Sequence, residues 1–271
     1  MTVSSETLSA GEAAEMVSRE GSGGLAVPSV VQAFAVIDLL ADSGSRMRLA
    51  EVVSATGLPK TTVHRLLRTL GMLGITQRDN DGFILGPALA RYGNARVPNH
   101  GEIIGLFYSV IGRMQEELDE TVQLAVLTPP DVTFIAFIDS SRSVRLATRL
   151  GRRLPVHASA TGKALLAFSQ EETVKNALEG PLAALTEWTI TDRSVILTQL
   201  KAARARGWAS ESQESAANLS CVAVPVLDAT GHALAAITVC LPMPIIPEPR
   251  QRHLAGIATR YARELSSRIS H

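Results

Sequence analysis

Lys60, Thr61, Thr62, His64, Arg65 and Arg68 crowd into the segment GLPKTTVHRLLRTLGMLG, residues 57–74, and each carries a hydrogen-bond donor. No Asp or Glu occurs from Leu58 to Gln77. Arginine can pair bidentately with guanine O6 and N7, and threonine can meet a base, a phosphate or a thymine methyl. Val63, Leu66, Leu67, Leu70 and Leu73 recur at i, i+3, i+4, i+7 and i+10, which places them together on one helical face. Donors on one side and an aliphatic anchor on the other are what a helix needs to enter a major groove. A merely solvated face would carry acids among its bases. Leu58 before Pro59 offers no side-chain cap, so the N–H groups of the first turn are free for a phosphate. Arg78, beyond the helix, adds a candidate phosphate contact.

A second group of small residues has different chemistry. Ser159, Ala160, Thr161 and Gly162 open a helix in HASATGKALLAFS, where backbone N–H groups and the helix dipole favour a carboxylate. Close helix–sheet packing would also require small side chains there. Two strands follow, CVAVPVL and ALAAITVCL, joined through Asp228–Gly231. Alternation places Cys221, Ala223 and Pro225 on one face, with Val222, Val224 and Val226 on the other. Ala236, Thr238 and Cys240 likewise oppose Ile237, Val239 and Leu241. Bulky faces build core, whereas small faces leave room, so a ligand site is expected over Cys221, Thr238 and Cys240. Both cysteines also fit as small buried hydrophobes.

Other chemistries find little support. GRRLPVHASATGKA holds a Gly-Lys pair but lacks the first glycine of a P-loop and has Ala164 after the lysine. A nucleophile built from Cys221 and His157 would need a lowered thiol pKa, and Val and Ala neighbours supply no cation. His157 with a cysteine gives too few ligands for a metal. No catalytic residue, metal or cofactor is therefore expected. Trp188 and Trp208 read as packing residues.

Several elements must hold these groups. Residues 1–24 are rich in Ser, Gly, Glu and Ala and carry Glu6, Glu12, Glu15 and Glu20 against Arg19, which suggests a disordered acidic tail. A helix is expected from Ser29, with Ser29 and Gln32 as a capping box and Val30, Phe34, Ile37 and Leu40 at helical spacing. A short helix, LAEVVSATG, directs Leu49, Val52 and Val53 inward and stops at Gly57. After the donor-bearing helix, ITQRDNDGFIL reads as two strands about a turn. Three helices and a hairpin outline a winged helix-turn-helix over residues 25–86. LGPALARYGNAR supplies a connector helix, giving a linker at 87–98. From 99 to 271 a long amphipathic helix precedes strands VQLAVL, VTFIAFI and SVRLATRL, helices ASATGKALLAFS and SVILTQLKAARARG, the hairpin, and a final helix with Leu254, Ile257, Tyr261 and Leu265 inward. Such a pattern suggests an α+β domain on an antiparallel sheet.

The chain has 271 residues, about 46% of them hydrophobic and 19% charged, with zero formal net charge. No global field draws in nucleic acid, so DNA binding must rest on a local basic surface. Two cysteines without metal spacing fit a reducing compartment, and no apolar run approaches a membrane span. A cytoplasmic protein without a membrane partner is expected.

LAEVVSATGLPKTTVHRLLRTLGMLGI resembles the helix-turn-helix signature of the IclR family of bacterial transcriptional regulators. The resemblance continues through FILGPALARYG, LPVHASATGKALLAF, WTITD, RARGWASESQES and SCVAVPVLDATGHALAAITV, from about Pro28 to the C-terminus. It implies a winged helix-turn-helix joined by a linker helix to a C-terminal α+β, GAF/profilin-like, effector-binding domain. It also implies a homodimer or dimer of dimers on a palindromic double-stranded DNA operator, with a small organic acid, aromatic acids included, as effector. Lys60, Thr61, Thr62, His64, Arg65, Arg68 and Arg78 would meet DNA. Ser159, Ala160, Thr161, Glu211, Leu219, Cys221, Thr238 and Cys240 would meet the effector. Glu211 stands where the family usually has aspartate, Asn218 where it has glycine, and Arg48 where Ser or Thr often caps a helix. Asparagine tolerates the left-handed backbone that such a glycine implies. The competing expectation is a cytosolic metabolite-binding or hydrolytic protein whose N-terminal domain serves protein contacts.

Overall fold

The computed structural model describes residues 27–93, 100–141 and 150–269. The acidic tail, the end of the linker and the expected strand SVRLATRL, apart from Leu150, lie outside them. Two compact units divide the chain at Met1–Val97 and Pro98–His271.

In the N-terminal unit, α1 spans Pro28–Ser43, α2 Leu49–Thr56 and α3 Lys60–Met72; β1, Thr76–Asp79, pairs antiparallel with β2, Gly82–Leu85. Helix α4, Ala88–Gly93, follows. The expected capping box at Ser29 is not the start of α1. Val27 is the N-cap and Pro28 takes the first turn, where its missing N–H costs nothing. Leu40 is buried and Ile37 half-buried against the core, as the spacing suggested, whereas Val30 and Phe34 are exposed and Val36 is buried instead. Leu73, the C-cap of α3, is exposed as well, unlike the other aliphatics of that row. Val63, Leu67 and Leu70 of α3 pack with Val36, Leu40, Val52, Leu58 and Ile75 in one apolar core. Arg48 carries no side-chain cap for α2, but its N–H donates to Glu51 Oε2 at 2.6 Å, keeping half of a capping box. Gly57 ends α2 in the left-handed conformation, as expected of the stop.

The second unit opens with α5, His100–Leu118. A six-stranded antiparallel sheet follows, in the order β5-β4-β3-β8-β7-β6. Its strands are β3 Thr121–Thr128, β4 Asp131–Ile138, β5 Arg153–Pro155, β6 Ala209–Ser212, β7 Ser220–Leu227 and β8 Ala233–Leu241. Helices α6 Ala160–Ala167, α7 Glu171–Ala177 and α8 Arg193–Arg206 connect β5 to β6, and α9, Glu248–Ile269, closes the unit.

Alternation along β7 and β8 sorts the layers. Val222, Val224, Val226, Ile237, Val239 and Leu241 join Phe107, Met114, Leu254 and Leu265 of α5 and α9 in one core. Ala223, Ala236, Cys221 and Cys240 face the other way and join Ala160, Ala164 and Leu165 of α6 with Ile196 and Leu200 of α8. The small face therefore seats a helix at close range. Trp208 is buried as a packing residue, and Trp188 is 42% exposed.

Helix α6 also packs tightly on the turn that leads into it: at Gly162 an added Cβ would sit 2.2 Å from the Val156 carbonyl oxygen. Backbone on both sides leaves nothing flexible to yield. Gly162→Ala is expected to destabilise the C-terminal unit by at least about 1–3 kcal/mol. Both tryptophans lie in that unit, so fluorescence-monitored urea unfolding reads it directly. An unchanged midpoint would refute the tight seat of α6.

Candidate DNA-binding and effector sites

On α3, Lys60, Thr61, His64, Arg65 and Arg68 are exposed and Thr62 is half-buried. Val63 and Leu67 point into the core and fix the rotation of the helix. No carboxylate pairs with Lys60, His64, Arg65 or Arg68 among the described residues. Pro59 is the N-cap and gives no side-chain hydrogen bond, so the N–H groups at the start of α3 stay available to an anion. Arg78 is exposed on β1, its Nε donating to the Asn80 carbonyl at 3.3 Å in the turn. Thr76 Oγ1 donates to the Leu67 carbonyl at 3.2 Å, tying the hairpin to α3, and Gly86 N donates to Ile75 O at 2.7 Å, closing the base of the hairpin.

The second site begins at the N-terminus of α6. Ser159 is the N-cap, and its Oγ accepts from Gly162 N at 3.0 Å, so one first-turn donor is satisfied internally. Ser159, Ala160 and Thr161 are all buried. The room expected over Thr238 is taken up by Thr161, whose hydroxyl lies 2.7 Å from that of Thr238.

Sequence reasoning passed over the strongest interaction here. Lys163, 1% exposed, places Nζ 2.5 Å from Glu214 Oε1. Burial pulls the Lys163 pKa down, and the Glu214 carboxylate opposes that pull. The two residues lie 51 positions apart, and no local pattern links them. Around Glu214 the chain is held by side chains: Thr189 Oγ1 donates to its carbonyl and Thr186 Oγ1 to that of Gln213, both at 2.7 Å. Asn218 adopts φ 58°, so the left-handed turn survives the absence of glycine.

Glu211 sits beneath this loop. Its Oε2 accepts from Glu214 N at 2.7 Å and its Oε1 from Ser215 Oγ at 2.9 Å, and Cys221 is its partner across the β6–β7 ladder. Burial raises its pKa from 4.5 to about 6 despite those donors. Cys221 and Cys240 bring their sulfurs to 3.3 Å. That contact and burial push the Cys221 thiol well above its ordinary range, which disfavours a nucleophilic thiolate. Leu219 is half-buried at the loop end, next to the exposed Ala217 and Asn218. The fold thus gathers Thr161 with Thr238, and Glu211 with Cys221 and Cys240. His157 is buried, its Nε2 2.9 Å from the Ala183 carbonyl. No group of three or more His, Cys, Asp and Glu able to hold a metal occurs among the described residues. Nor is any helix among them long and apolar enough to cross a membrane.

Residues 29–80 match the model of the IclR helix-turn-helix domain, and residues 96–267 match that of the bacterial transcriptional regulator IclR C-terminal domain. The HTH-type transcriptional regulator BhcR of Paracoccus denitrificans is 31% identical over 250 residues, covering 91% of this chain and 88% of that one. A solved IclR of Thermotoga maritima shares the fold at a TM-score of 0.73 and 22% identity, with 90% and 99% of the two chains covered. An IclR homologue from Microbacterium hydrocarbonoxydans, solved in complex with 4-hydroxybenzoate, superimposes at a TM-score of 0.68 and 24% identity, with 88% and 98% covered.

Two outcomes follow from the buried charges. Lys163→Met leaves Glu214 buried without its partner and is expected to cost about 3–5 kcal/mol in urea unfolding. Adding Glu214→Leu should restore much of it, and a double mutant no better than the single would disprove the pairing. For Glu211 the folded state favours the neutral acid. Its stabilising contribution is full below pH 4.5 and is lost as pH rises through about 6, amounting to about 2 kcal/mol. Glu211→Gln should flatten the stability profile across that window, and an unchanged slope would assign the titration elsewhere.

Proposed function

Since this chain belongs to the IclR family of bacterial transcriptional regulators, we propose that α3 enters the major groove of a palindromic operator, one copy per half-site of a dimer or dimer of dimers. The protein is a ligand-responsive, DNA-binding transcriptional regulator. The observation that carries the DNA contact is the exposed face of Lys60, Thr61, His64, Arg65 and Arg68, with no acid set against it among the described residues. Thr62 and the start of α3 meet phosphate, and Arg78 adds a contact from the hairpin. The family's role in transcription and the absence of a membrane-spanning helix among the described residues support a cytoplasmic location.

The effector is a small organic acid. It binds among Ser159, Ala160, Thr161, Glu211, Leu219, Cys221, Thr238 and Cys240, entering past the exposed Ala217 and Asn218. Lys163 is occupied by Glu214, so hydroxyls and first-turn N–H groups hold the carboxylate. The 4-hydroxybenzoate complex of the Microbacterium hydrocarbonoxydans homologue supports an aromatic acid as one candidate. By binding two arrangements of the domain unequally, the acid shifts operator affinity. No side chain is assigned a catalytic role, and no cofactor enters this reading.

Footprinting at fixed physiological salt on the DNA flanking the gene separates this from a stand-alone metabolite-binding or hydrolytic protein. A protected palindrome whose occupancy changes with a pool of small carboxylic acids, 4-hydroxybenzoate among them, is expected. Arg65→Ala and Arg68→Ala should each weaken specific binding by about 1–3 kcal/mol where the contact is to a base. Undiminished operator affinity in both variants would remove α3 as the reading element.

A further inference from the structure

Cys221 and Cys240 face each other directly across the β7–β8 ladder, with both sulfurs free and buried. Their neighbours complete one row across the sheet: Glu211 is paired with Cys221, and Cys240 with Thr121. Directly opposed residues of antiparallel strands have Cα separations of about 4.5 or 5.5 Å. Both values fall inside the span of about 4.4–6.8 Å that a disulfide bridges. The sulfurs already stand 3.3 Å apart. Reaching a bond of about 2.05 Å therefore asks each side chain to move by well under 1 Å, and the backbone is already in place.

We propose that Cys221 and Cys240 form a reversible thiol–disulfide site, oxidised by a peroxide or a small disulfide-forming oxidant and restored by a dithiol. With hydrogen peroxide the Glu211 carboxylate, directly opposite Cys221 on the β6–β7 ladder, takes the thiol proton. The thiolate attacks one peroxide oxygen and the O–O bond breaks. With the proton returned, the products are a sulfenic acid on Cys221 and one water. Cys240 sulfur then attacks the Cys221 sulfur and displaces hydroxide, which leaves as a second water with the Cys240 proton. Two thiols lose two electrons to one peroxide. Burial and the raised thiol pKa slow this chemistry, so the pair stays reduced under mild conditions and responds to sustained oxidant. The bond joins the two strands beside Glu211, beneath the loop that carries Glu214. Only its effect on acid binding rests on the proposed effector site; the bond itself does not.

The test treats the reduced full-length protein with hydrogen peroxide, and in parallel with diamide, then denatures and alkylates it with iodoacetamide. Both thiols should become unreactive together, the intact mass should fall by two hydrogens in a monomer, and dithiothreitol should reverse both changes. A linked peptide containing Cys221 and Cys240 should appear in a non-reducing digest. Cys240→Ala should abolish the hydrogen loss and leave Cys221 to be trapped by dimedone as a sulfenic acid or to stay unreacted. Two thiols still alkylated after oxidant, oxygen addition without hydrogen loss, or a bond between chains would each overturn the proposal. The wild-type measurement decides the matter even where the variant fails to fold. It uses no DNA and no acid, so its failure is separable from failure of the regulatory reading.

Discussion

A lysine ammonium buried inside an apolar layer is the constraint on which the C-terminal unit turns. Lys163 lies in α6 among Ala160, Ala164 and Leu165, and an uncompensated charge there would be prohibitive. Glu214 must therefore come to it, and the chain from Gln213 to Leu219 is placed accordingly. Desolvation consumes much of the attraction in such a pair, so its value lies in position more than in net stability. Once Glu214 is fixed, its N–H reaches Glu211 Oε2, and Glu211 in turn meets Ser215 and Cys221. One ionic contact thus arranges the groups assigned to effector recognition.

The same economy of space governs the sheet. Strands β7 and β8 divide their side chains into a branched face and a small face, and each selects the helices it can accept. Branched residues fill the gap to α5 and α9, while the small face admits α6, whose first turn meets the preceding Val156 turn backbone to backbone at Gly162. Small residues at the start of α6 therefore serve packing first. Any ligand there must share that space, with Thr161 and Thr238 already in contact.

How far the sequence revealed this depends on the range of each interaction. Helix α3 was legible because its periodicity, its missing acids and its uncapped start are all local signals. The β7–β8 hairpin was legible because alternation over seven or more residues leaves little choice of face. Strand β6 and helix α7 were not read as elements, being only four and seven residues long and without clear periodicity. At α1 a plausible Ser29–Gln32 box concealed the simpler start at Pro28, and of the four apolar residues at helical spacing Ile37 and Leu40 pack inward while Val30 and Phe34, near the helix start, do not. Thr238 was correctly grouped with the small face, but its partner Thr161 lies 77 residues away, and only the tertiary fold joins them. The same distance problem hid the lysine's partner.

The hairpin's attachment to α3 has a consequence for the duplex itself. An added Cβ at Gly86 would sit 2.2 Å from the Gly74 oxygen, Ala88 N donates to that oxygen at 3.1 Å, and Met47 bridges Phe83 from the far side. With Thr76 Oγ1 bonded to the Leu67 carbonyl of α3 as well, the hairpin is held at its base, and in the proposed reading helix and hairpin are two jaws of a caliper whose gap is set before any DNA arrives. If α3 and the hairpin both meet DNA as proposed, a rigid gauge would not follow a groove too wide or too narrow, and the nucleic acid would have to bend or twist to fit, at an energy set by its own base steps. Sequence preference should then extend to base pairs that no side chain touches, where stiffness alone distinguishes one operator from another.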